Sequence, residues 1–226
     1  MKADLHTHTV YSPDSLTRPA DLVAACVKRG VDVVAVTDHN AIAGAWAAQE
    51  AADRLRASGQ PAPLVIAGEE IMTTAGEVIG LFLVELIPPG YSPQETIQRI
   101  RDQGGFVTVP HPFDRLRRGL MMAGVWETIW SQVDALETRN ARTTFFSDNE
   151  RARLFAVSHD LLQTAGSDAH YHGEVGQCFV KLPPFDDLVS FRQSLAQGTI
   201  GGRPSSPLIH LLSTYARLRK KIRHET

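Results

Sequence analysis

Histidines and carboxylates recur along this 226-residue chain at spacings that suit metal chemistry. His6 and His8 stand two apart in DLHTHT, and Asp14 follows closely. Asp38 precedes His39, Glu69 precedes Glu70, and His111 precedes a proline. Glu137 and Asn140 fall in ALETRN, and Asp168 and His170 in GSDAH. Residues two apart in an extended strand share a face, so His6 with His8, and Asp168 with His170, can grip one ion or two neighbouring ions. Imidazole and carboxylate without thiolate suit Zn, Mn or Fe. Each fragment alone has an ordinary reading: a turn, an Asx-turn, or Asp38 or Asn40 capping a helix. Together they do not, because five of the nine histidines end apolar runs in acidic company.

Those apolar runs are the elements that must position them. KADLH, VDVVAVTDH, PLVIAGEEI, EVIGLFLVE, GFVTVPH, VDALETRN, LLQTAGSDAH and QCFVKL read as strands. Between them, RPADLVAACVKRG reads as a helix with Pro19 in its first turn and Gly30 at its end. AIAGAWAAQEAADRLRAS reads as a helix stopping at Gly59. Ser92, Pro93 and Glu95 form a helix-start signature. Strand-then-helix order predicts parallel strands with helical crossovers. About seven such units predict an α/β fold, a distorted (β/α)7 TIM-like barrel, with an open doubly wound sheet as the alternative. In such a barrel the C-terminal rim carries the site, and each ligand-bearing strand ends there.

Composition narrows the setting. Hydrophobic content is 43%, charged content 21% and net charge −2, which fits a globular chain and disfavours bulk-charge binding of nucleic acid. Cys26 and Cys178 read as buried small hydrophobes, not a disulfide framework. No apolar leader or membrane-length run is seen, so the expectation is a cytoplasmic protein with no membrane partner. Neither a linker nor a repeat interrupts the chain, so residues 1–226 read as one domain, with a terminal helix at about 205–222 packing on the barrel. The basic stretch YARLRKKIRHET reads as a solvated helix face with cations near its C-terminus.

The ordered set DLHTHT-x-YSPDS, TDHN, GEEI, HPF and GSDAH resembles the PHP (polymerase and histidinol phosphatase) family, as a small stand-alone member. The resemblance runs from residue 4 to about 170. It implies a distorted (β/α)7 barrel with two or three divalent metals at its rim, and hydrolysis of phosphate esters. It also implies metal ligands at His6, His8, Asp14, His39, Glu70, His111, Asp168 and His170, with Glu70 bridging. Glu77 and Asn140 are further candidates. One departure stands out: where many three-metal members carry a histidine in the strand after the glutamate, this chain has Ile79 in EVIGLFL. Glu77 is the substitute at hand, and a two-metal site is the alternative.

Divalent cations would supply a hydroxide nucleophile near neutral pH and neutralise charge on the phosphoryl oxygens. Asp38, Asp168 and His170 are the candidates for proton handling. Arg117, Arg118, Arg142 and Arg203 are the candidates for gripping substrate phosphate. The expected partner is a small phosphorylated substrate, a phosphomonoester or nucleoside bisphosphate. The alternatives are a metal-dependent nuclease acting on single-stranded nucleic acid and a non-catalytic metal-binding domain.

Overall fold

The computed structural model describes residues 1–117, 124–206 and 208–224. In chain order the elements are β1 (Lys2–Thr7), α1 (Pro19–Arg29), β2 (Val33–Val36), α2 (Ala43–Ala57), β3 (Leu64–Thr73), β4 (Gly76–Leu81), α3 (Pro93–Asp102) and β5 (Phe106–Val109). They continue with α4 (Trp126–Ile129), β6 (Ala135–Asn140), α5 (Phe146–Ser158), β7 (Leu162–Gly166), β8 (Cys178–Lys181), α6 (Leu188–Ala196), β9 (Thr199–Gly202) and α7 (Ile209–His224).

Local signals set several boundaries. Pro19 opens α1, and Gly30, at φ 61°, takes the left-handed position that ends it. The Ser92 hydroxyl accepts the Glu95 N–H at the start of α3. Neither Asp38 nor Asn40 caps α2, whose N-cap residue is Ile42 without a side-chain bond.

The strands form one sheet in the order β7-β6-β5-β4-β3-β2-β1-β8-β9. β7 returns to β1 through the parallel bridge Thr7–Ala169, supported by Asp168 N–H to His6 O (2.8 Å) and His8 N–H to Ala169 O (2.9 Å). Seven strands therefore almost close a barrel, and β8 and β9, joined through α6, extend the sheet antiparallel from β1. Gly166 permits the closure: a Cβ there would lie 2.3 Å from His6 Cβ.

β8 departs from the parallel expectation outside the barrel, and β4 departs from it among the seven barrel strands. β4 runs antiparallel to both β3 and β5, because a tight turn at residues 74–75 replaces a helical crossover. β3 also runs past Glu70 to Thr73. Its parallel pairing with β2 stops at Ala67, and β4 supports the remainder.

Two apolar clusters hold these layers. Leu22, Val23 and Cys26 of α1 and Ala45, Ala48 and Ala52 of α2 pack on the outer face of the sheet. Ala3, Leu5, Val33, Ala35, Ile66, Ile79, Leu81 and Phe106 fill the barrel interior, joined below by Phe191 of α6. Phe191 makes an edge contact with Phe106 at 5.3 Å. The barrel floor is thus apolar and sealed, which leaves the strand C-termini as the polar end. Both cysteines are free and buried. Among the described residues no helix is long and apolar enough to cross a membrane.

Candidate metal centre

The rim gathers its histidines by bending strands. In β1, Asp4 faces Val34 and Thr7 faces Val36, so three steps on β1 oppose two on β2. This β-bulge lets Leu5 fill the barrel while His6 and His8 also enter the polar cluster. In β6 a second irregularity falls between Glu137 and Arg139. It brings Glu137 and Asn140, three apart, to one hydrogen bond: Asn140 Nδ2 donates to Glu137 Oε2 at 2.9 Å. Asn40, His111 and Asp168 have φ of 51°, 30° and 53°, a left-handed backbone that is costly for side-chain-bearing residues. Three such residues in or beside the cluster show that tertiary packing, not local preference, holds the rim.

Glu70 lies at the centre. Its Oε2 is 3.1 Å from His39 Nδ1 and 3.3 Å from both His6 Nε2 and His8 Nε2. Its Oε1 is 3.1 Å from His111 Nε2. Asp168 Oδ1 lies 3.3 Å from His8 Nε2 and 3.7 Å from His6 Nε2. Asp14 Oδ1 lies 3.2 Å from His170 Nε2 and 3.8 Å from His39 Nε2. All of these side chains except His39 are essentially buried. Four overlapping triads could hold a metal ion: His8–His39–His170, His6–His8–Glu70, His6–His111–Asp168 and His39–Glu70–Glu77.

The outer nitrogens explain the orientation of the inner ones. His6 Nδ1 faces Glu137 Oε1 at 3.1 Å. His170 Nδ1 faces the carbonyl two residues back, Asp168 O, at 2.8 Å. His8 Nδ1 faces Ser12 Oγ at 3.1 Å, and Ser12 gives its one hydroxyl proton to Asp38 Oδ1 at 2.6 Å. Ser12 must therefore accept from His8, which puts the His8 proton on Nδ1. In His6 and His8 Nδ1 is engaged outside the cluster and Nε2 is directed into it, and His170 Nε2 points to Asp14, the arrangement that orients imidazole ligands.

Electrostatics agree with a cation site. Burial by itself would raise the Glu70 carboxyl, but the imidazoles of His39, His6 and His111 hold it well below its ordinary range. Asp168 is likewise depressed, with Arg117 and His6 outweighing its burial. Burial depresses His8, helped by repulsion from His170 and His39. His6, though equally buried, is raised by Glu137, Asp168 and Glu70. The His6 and His8 Nε2 atoms face each other 3.1 Å apart. No hydrogen-bond donor satisfies Asp14 Oδ1 or Asp168 Oδ1, and both are buried. Unsatisfied carboxylate oxygens among inward imidazole nitrogens fit divalent cations well.

Glu77 and Ile79 share one face of β4. Ile79 lies lower, in the barrel interior. Glu77 is nearer the mouth, with its carboxylate 3.9 Å from His39 Nδ1 and 3.8 Å from His111 Nε2. Glu77 thus places a carboxylate one pleat nearer the mouth than Ile79, within the His39–Glu70–Glu77 group that could hold a metal ion. Asn140 donates to Glu137 and, at 3.2 Å, to Asp168 Oδ2. Its amide nitrogen acts as a donor there, steadying carboxylates.

Other expected site residues lie elsewhere. Both oxygens of Asp38 are engaged, by Thr9 N and Oγ1 and by Ser12 Oγ, each at 2.6 Å, so Asp38 reaches His8 only through Ser12. Arg117 ion-pairs with Asp168 at the mouth. Arg142 is buried and donates to Ser213 Oγ (2.7 Å) and Ile209 O (3.2 Å), an anchor for α7. Arg203 is exposed, with its Nε 3.4 Å from Gln177 Oε1. Arg118 lies outside the described residues. Sequence spacing places Glu137 only at a strand end and gives no site role to Ser12, Arg217 or Lys220. The sequence reads Arg217 and Lys220 as part of a solvated face. Instead Arg217 Nη2 lies 2.6 Å from Asp14 Oδ2, and Lys220 Nζ reaches the carbonyls of Val10 and Ser12. No local signal could have found these contacts, which span about two hundred residues.

The fold and site together are a near-closed α/β barrel that gathers, at its C-terminal rim, histidine and carboxylate groups able to hold metal ions. The sequence matches the PHP domain over residues 4–182, and the chain belongs to the PHP family. It is 36% identical over 185 residues to MJ0417, an uncharacterized protein of Methanocaldococcus jannaschii, covering 80% of this chain and 70% of that one. Its fold is similar to that of a two-domain Bacteroides vulgatus protein described as containing a predicted PHP-like metal-dependent phosphoesterase. There the TM-score is 0.72 at 18% identity, over 90% of this chain and 65% of that one. A Bifidobacterium adolescentis protein, provisionally named a metal-dependent phosphoesterase, gives a TM-score of 0.64 at 21% identity, over 87% of this chain and 96% of that one.

Proposed function

We propose that this chain is a metal-dependent hydrolase of a small phosphate ester, a phosphomonoester or a nucleoside bisphosphate. The observation that carries the reading is the convergence of His6, His8, His39, His111 and His170 on Glu70, Asp14 and Asp168, with Nε2 of His6, His8 and His170 directed inward. These eight residues would hold two or three divalent ions, Mn, Zn or Fe, with Glu77 completing the His39–Glu70 corner. Bound there, such ions would activate water and neutralise charge on the phosphoryl group.

The remaining roles belong to the chain. Glu137 and Ser12 fix the ring orientations of His6 and His8. Arg117, beside Asp168 at the mouth, would bind phosphoryl oxygens through its fork. Asp168 Oδ1 and His170 Nε2 face the cluster and are the atoms that would hold a proton or a ligand there. The apolar floor keeps water from reaching the site from below.

The test is phosphate release by the Mn-loaded protein from a panel of phosphomonoesters, nucleotides, nucleoside bisphosphates and short single-stranded DNA. A His6→Ala, His8→Ala double variant runs alongside. Release from a small ester, abolished in the double variant, is expected. Cleavage of DNA alone, or release that survives in the variant, would overturn the reading.

A further inference from the structure

α7 meets the rim along one face. Ser213 and Ala216 are buried, and Arg217 and Lys220 follow at helical spacing on the same side. Arg142 pins the near end of the helix through Ser213 and Ile209. Lys220 clasps the loop after β1, at Val10 and Ser12, between His8 and Asp14. The helix carries five cationic residues and no carboxylate. It is therefore a cationic element laid over the loop that presents one side of the metal centre.

Asp14 divides its two oxygens between these partners. Oδ1 faces His170 and His39 in the cluster, while Oδ2 accepts from Arg217 Nη2. A cation bound at Oδ1 would leave the Arg217 contact intact. The Arg217 side chain is 65% exposed, so most of its guanidinium remains open to solvent beside the mouth. A guanidinium with one N–H on a carboxylate and the others free is suited to bridge that carboxylate to a phosphate.

Resting on the phosphoesterase reading, we infer that Arg217 is a substrate-binding residue, contacting the phosphate oxygens on the Asp14 side of the centre. α7 is then part of the active site through its contact with Asp14. The contact is made in ground state and transition state alike, so its loss weakens binding more than turnover.

Inorganic phosphate is titrated calorimetrically into the Mn-loaded wild type, Arg217→Ala, Arg217→Lys and Arg219→Ala, and the Mn affinity of each is measured in parallel. Arg219 is exposed on the same helix and controls for net charge. The expected result is a roughly tenfold weaker phosphate affinity in Arg217→Ala, about 1.4 kcal/mol. Partial recovery in Arg217→Lys, Arg219→Ala within twofold of wild type, and unchanged Mn affinity are also expected. On an active ester, KM should rise with kcat nearly constant. Phosphate binding within twofold of wild type in Arg217→Ala would overturn the inference. So would an equal fall in Mn affinity, which would make Arg217 only a support for Asp14. A wild type that binds phosphate through Arg217 yet hydrolyses no ester would sink the phosphoesterase reading and leave this one standing.

Discussion

At the scale of single residues, the centre depends on groups that need touch no ion. Glu137 accepts from His6 Nδ1, from the His111 N–H at 2.8 Å and from Asn140. One carboxylate thereby aligns side chains from β1 and β6 and the backbone after β5. Glu137→Gln keeps the shape and removes the charge. Mn affinity is expected to fall about 10–100-fold with little loss of folding stability, since ligand-orienting partners carry effects of that size. Mn titration against urea unfolding of the same variant checks this, and an affinity within twofold of wild type would refute the orienting role. Sequence reading reached the eight proposed ligands because His and Asp at strand ends are visible one by one. Glu137 was visible as a strand end, but its partners are up to 131 residues away.

Strands and their irregularities decide how those residues meet. A regular β1 would put Leu5 and His6 on opposite faces, yet both face inward, because the bulge adds a residue against β2. Alternation predicts that His6 and His8 agree with each other, and they do. It cannot predict that they also agree with Leu5. Closure between β1 and β7 depends on Gly166, where an added methyl would meet His6 Cβ at 2.3 Å and His6 N at 2.8 Å. Gly166→Ala is expected to destabilise the fold by about 1–3 kcal/mol, the usual cost of forcing volume into a packed contact. A lowered urea midpoint with an unchanged slope would show it. An unchanged midpoint would mean that the seam yields freely and does not constrain His6.

For the whole molecule, a rim that buries so many carboxylates and imidazoles ties folding to ions. Cations that bind only the folded chain stabilise it, by about 2.7 kcal/mol at a concentration one hundred times Kd. Tm should therefore rise on Mn addition and fall again with a chelator, and the His6→Ala, His8→Ala variant should show little of either. An equal rise in that variant would place the stabilising ions elsewhere. The sequence by itself determined the α/β class and the residues that could ligate, because apolar periodicity and ligand identity are local properties, whereas closure into a barrel rests on the tertiary Thr7–Ala169 pairing. Only the tertiary structure decided the antiparallel β4, where a short turn replaced a helix, and the approach of the Glu77 carboxylate to His39 and His111. The same holds for the binding of Asp38 by Thr9 and Ser12, the use of Arg142 to pin α7, and the arrival of Arg217 at Asp14. Each is a meeting of side chains far apart in the chain, set by strand direction, bulges and helix packing, which residue spacing does not encode.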